Sequence, residues 1–208
     1  MKLSTAQQVI ELFRNLSDDD KALIASRSYK HPGGFYKIVL HENADDKSSI
    51  RLHLWQFPLP VRENPHSHAW RFTSHVLSGG LKDTHWTECD SKCGEPYTKY
   101  RVDITKENHS CNVEFIGPVR LSATGAFDRT APTTYTLEAD VVHSSGPSED
   151  DTITLVHQAA RTRTENELYC DHQPLTFNVG EPTKYTALSS SELNVLIERI
   201  VNILSKQI

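Results

Sequence analysis

The chain has 208 residues, 37% hydrophobic and 24% charged, enough for one well-filled core and no reason to posit two full domains. A net charge of −5 with no long basic run excludes the electrostatic footprint of a nucleic-acid binder, and no apolar run approaches the roughly 20 residues of a membrane span. The opening Met1-Lys2-Leu3-Ser4-Thr5 lacks the apolar stretch of a secretory signal, so the expectation is a cytoplasmic protein with a small-molecule partner.

Residues 5 to 16 place Val9, Ile10, Leu12, Phe13 and Leu16 on one side at helical spacing, and Ser17-Asp18-Asp19-Asp20 reads as a cap opening a second helix through Leu23 and Ile24. His31-Pro32-Gly33-Gly34 ends this helical pair. From there to about residue 179, short β-rich runs alternate with Gly, Pro, Asn and Asp. Strands are predicted at Phe35 to Leu40, Ile50 to Phe57, Trp70 to Ser78, Gly80 to Trp86, Lys99 to Ile104, Asn112 to Val119, Thr133 to Leu137, Thr152 to Gln158 and Leu175 to Val179. Ser78-Gly79-Gly80 reads as a hairpin turn between two of them. Ser189-Ser190-Ser191-Glu192 reads as a cap before a helix with Leu193, Leu196, Ile197, Ile200, Ile203 and Leu204 on one face. That stripe suits packing on the β core, and a homodimer contact would use the same pattern.

The pattern predicts a mostly β, antiparallel sandwich, jelly roll or barrel with helical ends: residues 1–30 helical, 31–180 the β core, 181–208 the terminal helix, all one domain. Cys89, Cys93, Cys111 and Cys170 are read as free thiols, because a cytosolic chain of this size needs no disulfide staples. Cys89-x-x-x-Cys93 near His85 has no second close pair to complete a tetrahedral zinc site.

Of eleven histidines, His31, His41, His53, His109 and His172 are expected in structural or solvated roles. His66 and His68 differ: i, i+2 spacing in an extended segment points both imidazoles to one side, where both reach one ion at about 2.1 Å. Pro65 fixes how the chain enters.

Pro65-His66-Ser67-His68-Ala69-Trp70-Arg71-Phe72-Thr73-Ser74-His75-Val76-Leu77-Ser78-Gly79-Gly80 resembles the first cupin motif, in which His-x-His is followed by an acidic ligand and then a glycine. Gly80 stands at the glycine position, while Thr73 stands in the acid's slot and is a poor ligand for a divalent cation. Leu137-Glu138-Ala139-Asp140-Val141-Val142-His143-Ser144-Ser145 resembles the second motif, with His143 as third ligand. The resemblance, over roughly residues 50 to 158, implies a cupin-type antiparallel β-barrel, the double-stranded β-helix or jelly roll. It also implies a divalent metal held by His66, His68 and His143. His75 is the competing third ligand if a bulge turns it inward.

A three-histidine set without the acid is similar to that of thiol dioxygenases of the cysteine dioxygenase type. That similarity implies Fe(II), dioxygen as a second substrate, and a small anionic substrate: a thiol, an amino acid or an enolisable acid. Three neutral imidazoles leave the ion's double charge uncompensated, which favours an anion inside the site. Imidazole also suits Zn, Ni, Mn or Cu. The segment corresponding to the family's Ser-x-His-x-Tyr reads Thr154-Leu155-Val156-His157-Gln158, so the Tyr is missing and His157 is the candidate catalytic acid or base. Trp70, Phe72, Thr73 and Arg51 are expected to line the substrate pocket. Arg51 is preferred over Arg71, Arg161 and Arg163 as the carboxylate-binding fork, because Arg71 alternates away from Trp70. Two further readings remain: a redox-inert metal cupin acting as isomerase or lyase, and a non-catalytic small-molecule binding or sensor module.

Overall fold

The structure, a computed structural model, describes residues 3–31, 33–59, 63–90, 92–103, 112–171 and 185–208. Three helices form where caps and periodicity coincide. Helix α1 (Ala6–Arg14) starts at Thr5, whose side chain accepts from the Gln8 amide while Gln8 reaches back to the Thr5 amide. Ser17 and Asp20 open α2 (Asp18–Arg27) in the same way, and Ser189 and Glu192 open α3 (Ser190–Ser205). The full apolar stripe of α3 is buried, in one cluster with Val9, Ile10 and Phe13 of α1 and with Ile38, Leu40, Leu52, Leu54 and Leu155 of the sheet. The stripe is therefore spent within one copy of the chain. Among the described residues no helix is long and apolar enough to cross a membrane.

Eleven strands follow: β1 (Tyr29–His31), β2 (Phe35–Glu42), β3 (Ser49–Trp55), β4 (Phe72–Ser78), β5 (Gly80–Glu88), β6 (Glu95–Asp103), β7 (Asn112–Thr130), β8 (Thr133–Leu137), β9 (Val142–Pro147), β10 (Ile153–Gln158) and β11 (Glu165–Cys170). They form a six-stranded sheet in the order β1-β2-β3-β10-β4-β8 and a five-stranded sheet in the order β11-β6-β7-β5-β9, with antiparallel pairing throughout. Strand alternation divides the first sheet cleanly. Ile38, Leu40, Leu52, Leu54 and Leu155 face the helices. Phe72, Val76 and Val156 face the opposite side, where they pack with Tyr135 and Leu137.

The second sheet is closed by a strap, residues 65–68. The His66 amide donates to the His143 carbonyl at 2.8 Å and the His143 amide returns a bond to His66 at 2.9 Å. On the strap's other side the Ser67 amide donates to the Glu167 carbonyl at 3.0 Å and the Tyr169 amide to the Pro65 carbonyl at 2.8 Å. The strap thus joins β9 to β11, the two edges of the sheet, and removes both. The result is the cupin-type double-stranded β-helix, with helices at both ends of the chain.

Several expectations change. Strand β7 runs on to Thr130, far beyond Val119, because Gly117-Pro118 is absorbed by a register shift opposite Lys99 and Tyr100 and does not stop the strand. Strands β1, β9 and β11 were not predicted. Ser78-Gly79-Gly80 is no hairpin: β4 and β5 belong to different sheets, and Gly79, at φ +67°, turns the chain from one to the other. Cys89, Cys93 and Cys170 are free thiols, and Cys111 lies outside the described residues, as do Ile104 and the run from Leu175 to Val179.

Candidate metal centre

The extended strap carries His66 and His68 two residues apart, so both rings point into the barrel, and the reciprocal backbone bonds set His143 of β9 beside them. The ligand atoms of His66, His68 and His143 lie within 4.8 Å of one another. His68 Nε2 and His143 Nε2 are 3.0 Å apart. Two imidazoles sharing one ion at about 2.1 Å stand about 3 Å apart when they meet it near a right angle, so the spacing fits a common metal.

Outer bonds fix which nitrogen faces inward. His66 Nδ1 donates to the Asn64 carbonyl at 2.9 Å, and His143 Nδ1 donates to Asp83 Oδ1 at 2.9 Å, leaving both Nε2 lone pairs for a ligand. Burial, then the neighbouring His143, pushes the His66 imidazole down to about 4. Burial and the charges of His66, His143, Arg51 and Lys37 hold His68 well below the usual histidine range. Both are neutral near pH 7, the form that binds a cation.

Asp83 is the residue the sequence reading missed. Strands β5 and β9 run side by side with Asp83 opposite Ser145 and His85 opposite His143, which collects these side chains on one face. The Asp83 carboxylate is fully buried and also accepts from Ser145 Oγ at 3.1 Å, with Arg129 Nη2 at 3.4 Å and His85 Nε2 at 3.2 Å. Burial raises its carboxyl, but the bonds and charge of His143, aided by His85 and Ser145, outweigh that and leave it below the ordinary carboxylate value. The signal was available in the alternation of β5, where Asp83 shares a face with buried Leu81. Glu63 was missed too: Oε2 accepts from the Ser145 amide at 2.6 Å, and burial pushes its carboxyl up to about 7.

Other expectations are redistributed. Thr73 faces away from the trio and meets Thr136 Oγ1 at 3.0 Å. Phe72, one residue earlier, turns inward with its ring 5.1 Å from His68 and 6.0 Å from His143, so an apolar ring, and not Thr73, faces the trio from this strand. His157 lies on the outer face of β10, where Nε2 donates to the Leu3 carbonyl at 2.6 Å, and so cannot serve the trio as acid or base. His75 shares that outer face, 5.4 Å from His157 and bonded to Thr134 Oγ1, and does not replace His143. Trp70 is brought to the site, 5.8 Å from His68. Arg51 is buried with its guanidinium 5.6 Å from the Trp70 ring. Arg71 pairs instead with Glu138, Arg161 reaches Trp70 from 6.0 Å, and Arg163 is exposed.

No protein-family model matches the chain, and no curated protein matches it. Among solved structures, the chain is similar to a hydroquinone 1,2-dioxygenase in complex with Cd2+ and 4-hydroxybenzonitrile, at 13% identity and TM-score 0.38, over 78% of this chain and 79% of that one. It is similar to a cupin-like protein from Thermotoga maritima at 12% identity and TM-score 0.28, over 82% and 88%. A conserved protein with a double-stranded β-helix domain from Klebsiella pneumoniae matches at 14% identity and TM-score 0.28, over 74% and 96%. At such scores the fold assignment rests on this chain's own strand order.

Proposed function

We propose that the chain is a mononuclear non-haem Fe(II) oxygenase acting on a small anionic substrate. The observation that carries the reading is the convergence of three imidazoles, those of His66 and His68 neutral near pH 7, with no carboxylate in the ligand set. Held by His66, His68 and His143, Fe(II) would supply redox and Lewis-acid chemistry and an uncompensated positive charge.

The chain's own residues do the rest. Asp83 holds His143 in one tautomer and orientation through Nδ1. Phe72 and Trp70 keep the side of the site next to His68 apolar, which excludes water and strengthens every charge interaction inside. Glu63 exchanges a proton near neutral pH while its Oε2 stays anchored on the Ser145 amide.

The test is the metal content of protein purified anaerobically, followed by oxygen uptake on adding small thiols, amino acids and β-dicarbonyl acids. Stoichiometric iron with substrate-triggered uptake, both lost in His68→Ala, is the expected result. A stoichiometric redox-inert metal such as Zn, Ni or Mn would replace this reading by isomerase or lyase chemistry. Absence of any bound metal would leave a small-molecule binding module.

A further inference from the structure

The six-stranded sheet holds a nucleophilic atom that the metal centre does not use, the amine of Lys37. Strand β2 lies between β1 and β3, and Lys37 stands opposite Tyr29 on one side and His53 on the other. Alternation turns Ile38, Leu40, Leu52 and Leu54 to the helices, and hence Lys37, Arg51 and His53 to the other face. Arg51, two residues from His53 on β3, is then a diagonal neighbour of Lys37. Lys37 Nζ lies 3.0 Å from Tyr29 Oη and 5.1 Å from the centre of the same ring.

These neighbours supply positive charge and no anion in reach. Among the described residues, no carboxylate makes an ion pair with Lys37 or with Arg51. Arg51 is buried and meets only the neutral Gln158 Oε1, at 2.6 Å, so its charge stays in force. Arg51 and Arg161 repel the Lys37 ammonium, while Glu42, exposed at the far end of β2, attracts it. His31 and His53 face the same space and are held in the neutral form. Burial first, and Arg51 second, hold the Lys37 ammonium well below its ordinary value. A lysine desolvated beside a second cation gives up its proton readily and becomes a nucleophile. Lys37 also keeps partial exposure, which Arg51 does not, so a small molecule has access to it.

We infer that Lys37 is an imine-forming lysine that captures a small aldehyde or ketone, with the Tyr29 hydroxyl as its proton partner. The neutral nitrogen adds to the carbonyl carbon, so a C–N bond forms and the carbonyl π bond breaks. The two protons of the nitrogen then leave with the oxygen as water, and a C=N bond remains. Tyr29 Oη, 3.0 Å from Nζ, is placed to hand a proton to the departing oxygen and to take one back from the nitrogen. Adding water to the imine returns the amine and the carbonyl compound. No electrons pass to a redox partner and no metal takes part. The capture site therefore goes beyond the proposed oxygenase and holds or fails independently of it.

The experiment treats chelator-stripped full-length protein with acetaldehyde and cyanoborohydride, which reduces an imine to a stable ethylamine, and follows each lysine by peptide mass. Lys30 and Lys82, both exposed, are the internal references. The expected result at pH 7 is ethylation of Lys37 at least tenfold faster than of either reference. The advantage should shrink as pH approaches about 10.4, where ordinary lysines lose their protons too. Arg51→Met removes the nearest repelling charge and should slow Lys37 at least threefold at pH 7 while leaving the references unchanged. Should Arg51→Met fail to fold, Arg161→Gln removes the other repelling charge and takes its place. Labelling of Lys37 no faster than of the references, an advantage that does not change with pH, or a rate unchanged by loss of the repelling charge would overturn the capture site. Metal content plays no part in any of these readings, so failure of the three-histidine centre would leave them as they are.

Discussion

At the scale of single residues, the site depends on hydrogen bonds one step removed from the ligand atoms. Asp83 lies outside the histidine trio, yet its Oδ1 decides the tautomer of His143 and with it the direction of the Nε2 lone pair. Asp83→Asn keeps the shape and removes the charge. The expected outcome is a 10- to 100-fold loss of metal affinity, about what such outer partners contribute, read by titrating metal into chelator-treated protein. An unchanged affinity would mean that the backbone pairing of His66 and His143 orients the ring unaided. The same scale explains the mislocated ligand slot. Residue counting placed Thr73 there, but the strand enters one residue out of step with that count, and the pleat gives the interior to Phe72.

At the scale of elements, the turn between β4 and β5 is tightly constrained. Gly79 sits at φ +67°, and a Cβ added there would lie 2.4 Å from Thr152 Oγ1 and 2.8 Å from Thr152 Cα, which is backbone. Thr152 cannot retreat, since its Oγ1 is bonded at Gly80 and Glu149 and its carbonyl accepts from the Trp55 amide. Gly79→Ala should therefore lower unfolding free energy by about 2 kcal/mol or more in urea titration, the sum of left-handed strain and displaced backbone. A change under half that size would show that the crossover is pliable. The helices, by contrast, were legible in detail, because a cap and a 3.6-residue stripe are local signals.

At the scale of the whole molecule, the seam that closes the five-stranded sheet and the metal centre are one object. His66 and His143 belong to the trio that could hold a metal and are also residues whose amides cross the seam. Metal bound at the trio should fasten that seam, so the amides of His66, Ser67, His143 and Tyr169 are expected to exchange at least tenfold more slowly in metal-loaded than in chelator-treated protein. Protection confined to strands away from the strap would contradict this coupling. Acidification probes the interior wall as a unit. Burial and the charges of Arg51 and Lys37 hold His31 and His53 well below 6.5, so they contribute stability above that pH and lose it progressively below, where the unfolded chain takes up protons that the folded chain refuses. Glu63, raised to about 7, has the opposite sign: its contribution is full below 4.5 and is lost as pH rises to about 7. The metal-free protein should thus melt at falling temperature from pH 6.5 downward, and Glu63→Gln should steepen the fall. A flat profile over that window would contradict burial of two neutral imidazoles.

The sequence alone determined the β-rich plan, the three helices with the caps at Ser17 and Ser189, and the His66 and His68 pair, because each is written in residues within one or two turns or strands of each other. Tertiary structure decided what depends on distant partners. The strap that closes the sheet joins residues 66, 143 and 168, and the acid that orients His143 comes from β5, sixty residues away. Whether a histidine such as His157 faces the barrel or its outer surface is set by how β10 pairs with β3 and β4, a register that no local pattern specifies.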